Sequence, residues 1–317
     1  MLFSKQSRRS GWRLRPIFFL FTALLLPIRT PAESLSSIVV YGDSLSDNGN
    51  LFAATGQPGA PYYAGRRSNG PVAVEQMATR LGVPLIDYAW IGATTGIGNY
   101  ADQGSATTSG TAHLPGMWVE FSSTQPAITP YLGGLFIVWG GPNDFLAPSP
   151  LDQGPQDTIA RGVGNLVTMV DQLLSRGATH ILVPGLPDLG LTPYFQSLGP
   201  GNAAAASAIT DTFNAALLSE LPAGVQFVDT AALLRAVVAH PAAYGFTNAI
   251  DACFDGTSVC ADPSQYLFFD DFHPTTQADA LVAQEFLATT VPEPATAACV
   301  ATALFVTFLL RCRTRRT

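Results

Sequence analysis

Ser44 is the residue in this sequence best placed to act as a nucleophile. It stands in the string Gly42-Asp43-Ser44-Leu45, directly after the apolar residues 38–41, which predict a buried strand. A serine in a tight turn at the carboxyl end of such a strand points its hydroxyl out of the sheet, and its own N–H can help to stabilise an oxyanion. Because four residues are a weak signal, this chemistry requires a base, an orienting acid and further oxyanion donors elsewhere in the chain.

His273 is the candidate base, since imidazole is the usual side chain that takes a serine proton near neutral pH. It lies in the sequence Asp270-Asp271-Phe272-His273-Pro274. A carboxylate three residues upstream can bend back and hold the imidazole in one tautomer. Spacing alone leaves Asp271 open as that acid, and a polar histidine at a loop–helix junction without catalytic role is the alternative. We expect Pro274 to occupy the first turn of a helix.

Two further segments could supply oxyanion donors. Asn143 follows the apolar residues 135–139 in the string Gly141-Pro142-Asn143-Asp144, and a side-chain amide at the end of a strand can donate to a developing oxyanion. Gly92, within residues 87–95, lets the backbone approach a substrate closely. Each segment is also an ordinary turn sequence, so the prediction depends on all four elements occurring together in this order.

Together these residues resemble the SGNH/GDSL family of lipases and esterases, from about residue 37 to about residue 287. The family is named after a serine, a glycine, an asparagine and a histidine, which Ser44, Gly92, Asn143 and His273 match. Its Asp-x-x-His pattern implies that Asp270 orients His273. The resemblance also implies an oxyanion hole formed by the Ser44 N–H, the Gly92 N–H and the Asn143 amide.

The function implied by this resemblance is that of a secreted serine esterase or lipase, acting through an acyl-enzyme on Ser44. Such chemistry needs no metal and no organic cofactor. An acyltransferase that uses the same site, with an alcohol in place of water, is one alternative. A surface or matrix protein that kept the fold but not the activity is another.

The elements that must position these residues alternate along the chain. Five apolar, β-branched runs alternate with long helix-like segments, and this order predicts a parallel sheet with helices on both sides. The runs are residues 38–41, 84–89, 135–139, 180–184 and 225–229, and the main helical segments are residues 72–81, 156–176 and 202–221. We therefore expect an α/β three-layer sandwich with a mostly parallel five-stranded sheet, flavodoxin-like as in SGNH hydrolases. In such sheets a site forms beyond the carboxyl ends of the strands, where Ser44, Gly92 and Asn143 would meet.

Residues 96–131 are rich in Gly, Ser, Thr and Pro, and we expect them to form a lid or a wall of the substrate cleft. Four aromatic side chains could line an acyl or aryl pocket, with packing in the core as an equally good alternative. They are Tyr62, Tyr63, Trp118 and Phe121.

The first 32 residues are typical of a secretory signal peptide. A basic start precedes the apolar residues 17–28, and small residues stand near position 32. The apolar run is shorter than the roughly 20 residues of a spanning helix, which favours cleavage by signal peptidase over an uncleaved anchor.

Residues 291–317 resemble a PEP-CTERM sorting signal. The motif Pro292-Glu293-Pro294 precedes the apolar residues 295–310, and an arginine cluster follows. The resemblance implies a Gram-negative-type bacterium, a transient membrane anchor, removal of the tail by an exosortase-like protease, and a final location at the cell surface or outside the cell. A plain C-terminal membrane anchor is the alternative.

The remaining body, residues 33–290, is strongly acidic, with six Lys and Arg against 22 Asp and Glu. A basic footprint for nucleic acid is therefore absent, which argues against DNA or RNA binding. The body keeps two cysteines, Cys253 and Cys260, and in an exported protein such a pair predicts a disulfide. A structural zinc site is disfavoured because it usually needs four ligands and no histidine stands near this pair.

Overall fold

The structure is a computed structural model that describes residues 35–290. The predicted signal peptide, residues 1–32, and the predicted sorting signal, residues 291–317, lie outside the described residues. Within residues 35–290, no helix has both the length and the apolar character that crossing a membrane requires.

A five-stranded parallel sheet forms the centre of the described chain, in the strand order β2-β1-β3-β4-β5. The two central strands, β1 and β3, are buried at every position, because helices cover both faces of the sheet. The strands are β1 Ile38–Gly42, β2 Leu85–Asp87, β3 Leu135–Trp139, β4 His180–Pro184 and β5 Gln226–Val228.

Helices cover the two faces of this sheet, and the pleat decides which side chain meets which helix. Val39 and Tyr41 of β1 pack with α3, α5 and α7 on one face, while Ile38 and Val40 pack with α2 and α9 on the other. The prediction of a three-layer α/β sandwich is therefore confirmed. The helices are α1 Asn50–Thr55, α2 Ala73–Leu81, α3 Met117–Thr124, α4 Pro142–Leu146, α5 Pro155–Ser175, α6 Pro193–Ser197, α7 Pro200–Glu220, α8 Thr230–Ala239 and α9 Thr276–Thr290.

Helix α9 begins later than the sequence predicts. Pro274 lies before the helix, in an isolated bridge with Phe268, and is not part of its first turn. The Thr275 N–H donates to the Leu267 carbonyl, and the Thr275 hydroxyl accepts from the Ala278 N–H. Thr275 therefore acts as the cap, because its side chain satisfies a main-chain donor in the first turn.

A small two-stranded parallel sheet, which was not predicted from the sequence, precedes the segment that carries His273. Its strands are β6 Asn248–Ala252 and β7 Tyr266–Phe268. The Cys253–Cys260 disulfide follows β6, with the two Cα atoms 4.8 Å apart. Main-chain bonds from Cys253 to Phe268 and from Phe254 to Phe269 join this loop to the chain that enters the histidine segment.

Candidate active site

The carboxyl edge of the sheet brings the predicted site residues together. Ser44 follows the end of β1 by two residues, Gly92 follows β2, and Asn143 stands in the first turn of α4, directly after β3. The absence of a side chain at Gly42 lets the end of β1 lie close to the end of β3. A Cβ at that position would lie 2.7 Å from the Trp139 carbonyl oxygen of the neighbouring strand. The loop after β7 carries His273 to the same edge, so all four residues line one cleft.

Ser44, His273 and Asp270 form a continuous hydrogen-bonded chain. His273 Nε2 lies 2.8 Å from Ser44 Oγ, and His273 Nδ1 lies 2.7 Å from Asp270 Oδ1. When Nδ1 carries its proton toward the carboxylate, Nε2 is free to accept the serine proton. Asp271 is exposed, and among the described residues its carboxylate makes no hydrogen bond to the ring. Its carbonyl accepts from the Tyr194 N–H, so the geometry favours Asp270 among the two acids that spacing left open.

Asp270 is buried and accepts hydrogen bonds from more than the imidazole. The N–H groups of Phe272 and His273 donate to Oδ1 over 2.9 and 2.8 Å, and the Tyr62 hydroxyl donates to Oδ2 over 2.8 Å. Burial alone would raise the pKa of Asp270, but the facing His273 and these donors lower it below its usual value. Asp270 therefore stays ionised at any pH at which His273 could act as a base.

Tyr62 is held in place for this contact by Arg67. Arg67 Nη1 donates to the Tyr62 hydroxyl over 3.1 Å, and the guanidinium lies 4.9 Å from the centre of the Tyr62 ring. Burial, followed by the negative charge of Asp270, raises the pKa of Tyr62 to about 12, so the phenol keeps the proton that it donates. The sequence predicts Tyr62 only as a candidate for a pocket wall, and its contact with the acid was not predicted.

The three predicted oxyanion donors face the same cleft. In the part of the chain that the structure describes, the N–H groups of Ser44 and Gly92 have no hydrogen-bond acceptor. Asn143 is buried, and its Nδ2 lies 3.0 Å from the Ala93 carbonyl oxygen and 3.5 Å from Asp43 Oδ2. The bond to Ala93 fixes the side chain, and the longer bond to Asp43 is the one that a substrate oxygen would have to replace or share.

Gly92 is needed at its position for two reasons. Its φ of +82° is a left-handed conformation that glycine adopts without strain. A Cβ there would also lie 2.4 Å from Asn99 Oδ1, an atom of a fully buried side chain. The backbone at position 92 can therefore adopt this conformation only if the residue is glycine.

Two buried carboxyl groups connect the Ser44 turn to the Gly92 loop. Glu120 of α3 accepts from the N–H of Gly42 and from the N–H of Trp90, each over 3.1 Å. Asp47 accepts from the N–H of Ile91 over 2.8 Å and from N–H groups of its own loop. Neither residue was predicted from the sequence, although the position of Glu120 among apolar residues in Met117-Trp118-Val119-Glu120-Phe121 is a signal that could have revealed it.

A cleft of about 670 Å³ surrounds the triad, and it differs in part from the predicted one. Tyr62 lines it, but Tyr63 is half exposed outside it. Trp118 and Phe121 do not line the cleft but pack in the core on α3, which is the alternative that the sequence left open. Of the predicted lid, residues 96–131, only a short segment lines the cleft, namely Tyr100, Ala101 and Gln103.

The described residues contain no cluster of side chains that could serve as a metal site. Across residues 35–290, no group of three or more His, Cys, Asp or Glu side chains is arranged to hold a metal ion.

A protein-family model described as GDSL-like lipase/acylhydrolase matches residues 38–286. The range includes the strand before Ser44 and ends after His273. It therefore contains every residue of the site described above.

Three curated relatives are similar to most of the chain. A GDSL esterase/lipase of Arabidopsis thaliana is 25% identical over 342 residues, which covers 87% of this chain and 97% of the relative. Esterase EstA of Pseudomonas aeruginosa is 30% identical over 299 residues, covering 78% of this chain and 46% of EstA. A phosphatidylcholine-sterol acyltransferase of Aeromonas hydrophila is 26% identical over 246 residues, covering 75% of this chain and 71% of that enzyme.

Proposed function

Because this chain belongs to the GDSL-like lipase/acylhydrolase family and is an ester-bond hydrolase, we propose that it cleaves carboxylic esters through an acyl-enzyme formed on Ser44. The observation that carries the proposal is the unbroken hydrogen-bonded chain from Asp270 through His273 to Ser44. A nucleophile, a base and an orienting acid in contact are the elements that serine hydrolysis requires.

Acylation begins when Ser44 Oγ attacks the ester carbonyl carbon while its proton passes to His273 Nε2. Asp270 stabilises the imidazolium that results and keeps it in the required tautomer. When the tetrahedral intermediate collapses, its bond to the alcohol oxygen breaks and His273 returns the proton to the leaving alcohol. Water then attacks the acyl-enzyme with the same base, which releases the carboxylic acid and restores Ser44.

The negative charge on the carbonyl oxygen is stabilised by three fixed donors in this proposal. They are the N–H groups of Ser44 and Gly92 and the side-chain amide of Asn143. Their positions are set by the fold before the substrate arrives, so little reorganisation is needed during the reaction. Loss of one such donor typically costs about 3 kcal/mol of transition-state stabilisation.

Substitution of Ser44 tests the proposal directly. In Ser44→Ala, hydrolysis of p-nitrophenyl acetate should fall to the level of the buffer, and labelling by a fluorophosphonate probe should disappear. Circular dichroism should show an unchanged fold, because the hydroxyl is a small group at the edge of the cleft. Turnover that persists in a folded Ser44→Ala protein would exclude Ser44 as the nucleophile.

Acyl transfer to an alcohol is the second candidate function, favoured by the similarity to the Aeromonas hydrophila acyltransferase. The acyl-enzyme on Ser44 would be the same, and an alcohol would replace water as the second acceptor. Product analysis of p-nitrophenyl butyrate turnover in the presence of hexanol separates the two. Free butyrate as the main product favours a hydrolase, whereas hexyl butyrate as the main product favours a transferase.

We also propose that the protein is exported and that both of its ends are removed. Residues 1–32 act as a signal peptide for signal peptidase, and residues 291–317 hold the chain at the membrane until an exosortase-like protease cuts near Pro292-Glu293-Pro294. The sequence patterns of both ends support this route, as does the disulfide, since disulfides persist in oxidising compartments. Mass spectrometry of the mature protein from its host tests it, because intact peptides from residues 311–317 on the surface protein would indicate a plain anchor.

A further inference from the structure

An apolar cavity of about 70 Å³ adjoins the catalytic cleft and has no part in the mechanism above. It lies between α8, α9 and β7, and it shares four wall residues with the cleft, namely Leu45, Pro187, Thr192 and Phe272. We infer that this cavity holds the acyl chain of the ester, so that the enzyme prefers short to medium alkanoyl esters. The inference rests on the proposed function, because the chain must belong to an acyl group attached to Ser44.

The location of the shared wall supports an acyl chain as the occupant. Leu45 directly follows the nucleophile, and Phe272 directly precedes the base, so the opening lies one residue from both reacting side chains. Phe272 is partly exposed and packs on Tyr194, with ring centres 4.5 Å apart, which fixes one side of the opening. An alkyl group bound to the carbonyl at Ser44 therefore needs only a few bonds to enter.

The chemistry of the walls also fits an alkyl chain. No ionisable side chain lines the cavity, whereas the cleft contains Asp43, Arg67 and Asp255. The polar side-chain groups in the cavity wall are already bonded to main-chain carbonyls. The Trp139 indole and the Thr230 hydroxyl both donate to the Gly185 oxygen, and the Thr192 hydroxyl donates to the Leu189 oxygen. The walls therefore offer no free hydrogen-bonding side chain to water and a favourable surface to methylene groups.

The volume of the cavity sets the length of chain that it accepts. One water-sized group needs about 10–15 Å³ of such space, so a cavity of about 70 Å³ has room for about five or six carbon groups. Burial of each methylene favours the bound transition state by up to about fourfold. We expect kcat/KM to rise from acetate to hexanoate by at least about tenfold and to stop rising with longer chains.

The test uses p-nitrophenyl esters of two to ten acyl carbons, which share one leaving group and differ only in the acyl chain. Ala278 is buried in the cavity wall, so Ala278→Leu fills the space and should lower the ratio of hexanoate to acetate turnover by about tenfold. Leu234→Ala enlarges the space and should move the preferred chain to a greater length. Fluorophosphonate titration gives the concentration of competent enzyme in each preparation.

Leu174→Ala is the matched control, because Leu174 is a partly buried leucine on α5, away from the cavity, and its variant should keep the wild-type ratio. A ratio unchanged in both cavity variants would overturn the inference and leave the cavity a packing void. A preference that instead followed the alcohol chain in a series of alkyl acetates would overturn it as well. Failure of the wild-type protein to hydrolyse any of these esters would contradict the proposed function, which is a different result.

Discussion

At the scale of single residues, the candidate base His273 contacts one buried carboxylate that accepts hydrogen bonds from several directions. Asp270 contacts the His273 ring, two main-chain N–H groups and the Tyr62 hydroxyl. Its neighbour Asp271 is exposed and offers only its carbonyl to the chain of α6. Two adjacent acids of the same type therefore have different environments, and only one of them is placed to stabilise an imidazolium.

Alanine variants of the two acids should differ sharply. We expect Asp270→Ala to lower kcat by about a thousandfold or more, since loss of the orienting acid leaves the imidazole free to adopt the wrong tautomer. Asp271→Ala should change kcat by less than about threefold, as expected for an exposed side chain. Steady-state kinetics on both variants give the comparison, and a larger loss in Asp271→Ala would reverse the assignment.

Tyr62 should act as a positioning residue. Tyr62→Phe keeps the ring under Arg67 but removes the hydroxyl that donates to Asp270, a hydrogen bond to a charged group worth about 1.5–3 kcal/mol. We expect kcat to fall by about tenfold or more, with KM within about twofold of the wild type.

Tyr63→Phe is the control for this variant, because Tyr63 is the adjacent tyrosine and lies half exposed outside the cleft. Equal kinetics for the two variants, or a change in KM alone for Tyr62→Phe, would indicate that Tyr62 contributes to binding and not to the position of Asp270.

At the scale of secondary-structure elements, α3 does more than cover one face of the sheet. Its Glu120 reaches the last residue of β1 and the loop after β2, and thereby holds two strand ends at a fixed separation. These strand ends lead to the N–H donors of Ser44 and Gly92. A helix that contributes no reacting atom thus sets the geometry of the predicted oxyanion hole.

Substitution of Glu120 should affect both stability and rate. In Glu120→Ala the buried N–H of Gly42 loses the carboxylate acceptor, at about 1–3 kcal/mol, whereas the N–H of Trp90 keeps its second acceptor, the Gly42 carbonyl. We expect a lower melting temperature and a kcat at least about tenfold lower, with smaller effects in Glu120→Gln, whose amide oxygen can still accept. If Glu120→Ala lowered only the melting temperature, the helix would have a purely structural role.

The contacts that sequence reasoning missed share a physical cause. The strands of the central sheet were predicted within two residues, because buried parallel strands are short continuous apolar runs. Strand β6 was missed because it is half exposed and contains Asn248 and Asp251. Tyr62 and Asp270 are 208 residues apart, and Glu120 and Gly42 are 78 apart. No local pattern connects such pairs, whereas the serine, glycine, asparagine and histidine of the site each lie in a recognisable local motif.

At the scale of the whole molecule, several buried carboxyl groups make stability depend on pH. Burial raises the pKa of Asp43 to about 7 and that of Asp144 to about 6. Burial also raises the pKa of four further groups, Asp47, Asp87, Glu120 and Asp279. The pKa of an aspartate in the unfolded chain is about 4. Between that pH and the raised pKa, the folded chain therefore holds more protons than the unfolded chain.

The free energy of unfolding should therefore fall as the pH rises, and the melting temperature should decline between about pH 5 and pH 8. The lowered pKa of Asp270 acts in the opposite direction, but its contribution is complete above about pH 5. Thermal unfolding followed by circular dichroism measures the decline. Asp43→Asn should make it smaller, and a melting temperature that rose across this range would contradict the prediction.

In the proposed mechanism, the nucleophile and the base lie far apart along the chain, so a partly synthesised molecule lacks one of them. Ser44 and His273 are 229 residues apart, and the acid and base arrive on the last loop before α9. A chain that has left the ribosome only as far as β5 already contains the serine and its oxyanion donors, but it has no base. In the proposed mechanism, activity toward esters therefore requires the β7 loop on the edge of the sheet, and that loop is among the last parts of the fold to be synthesised.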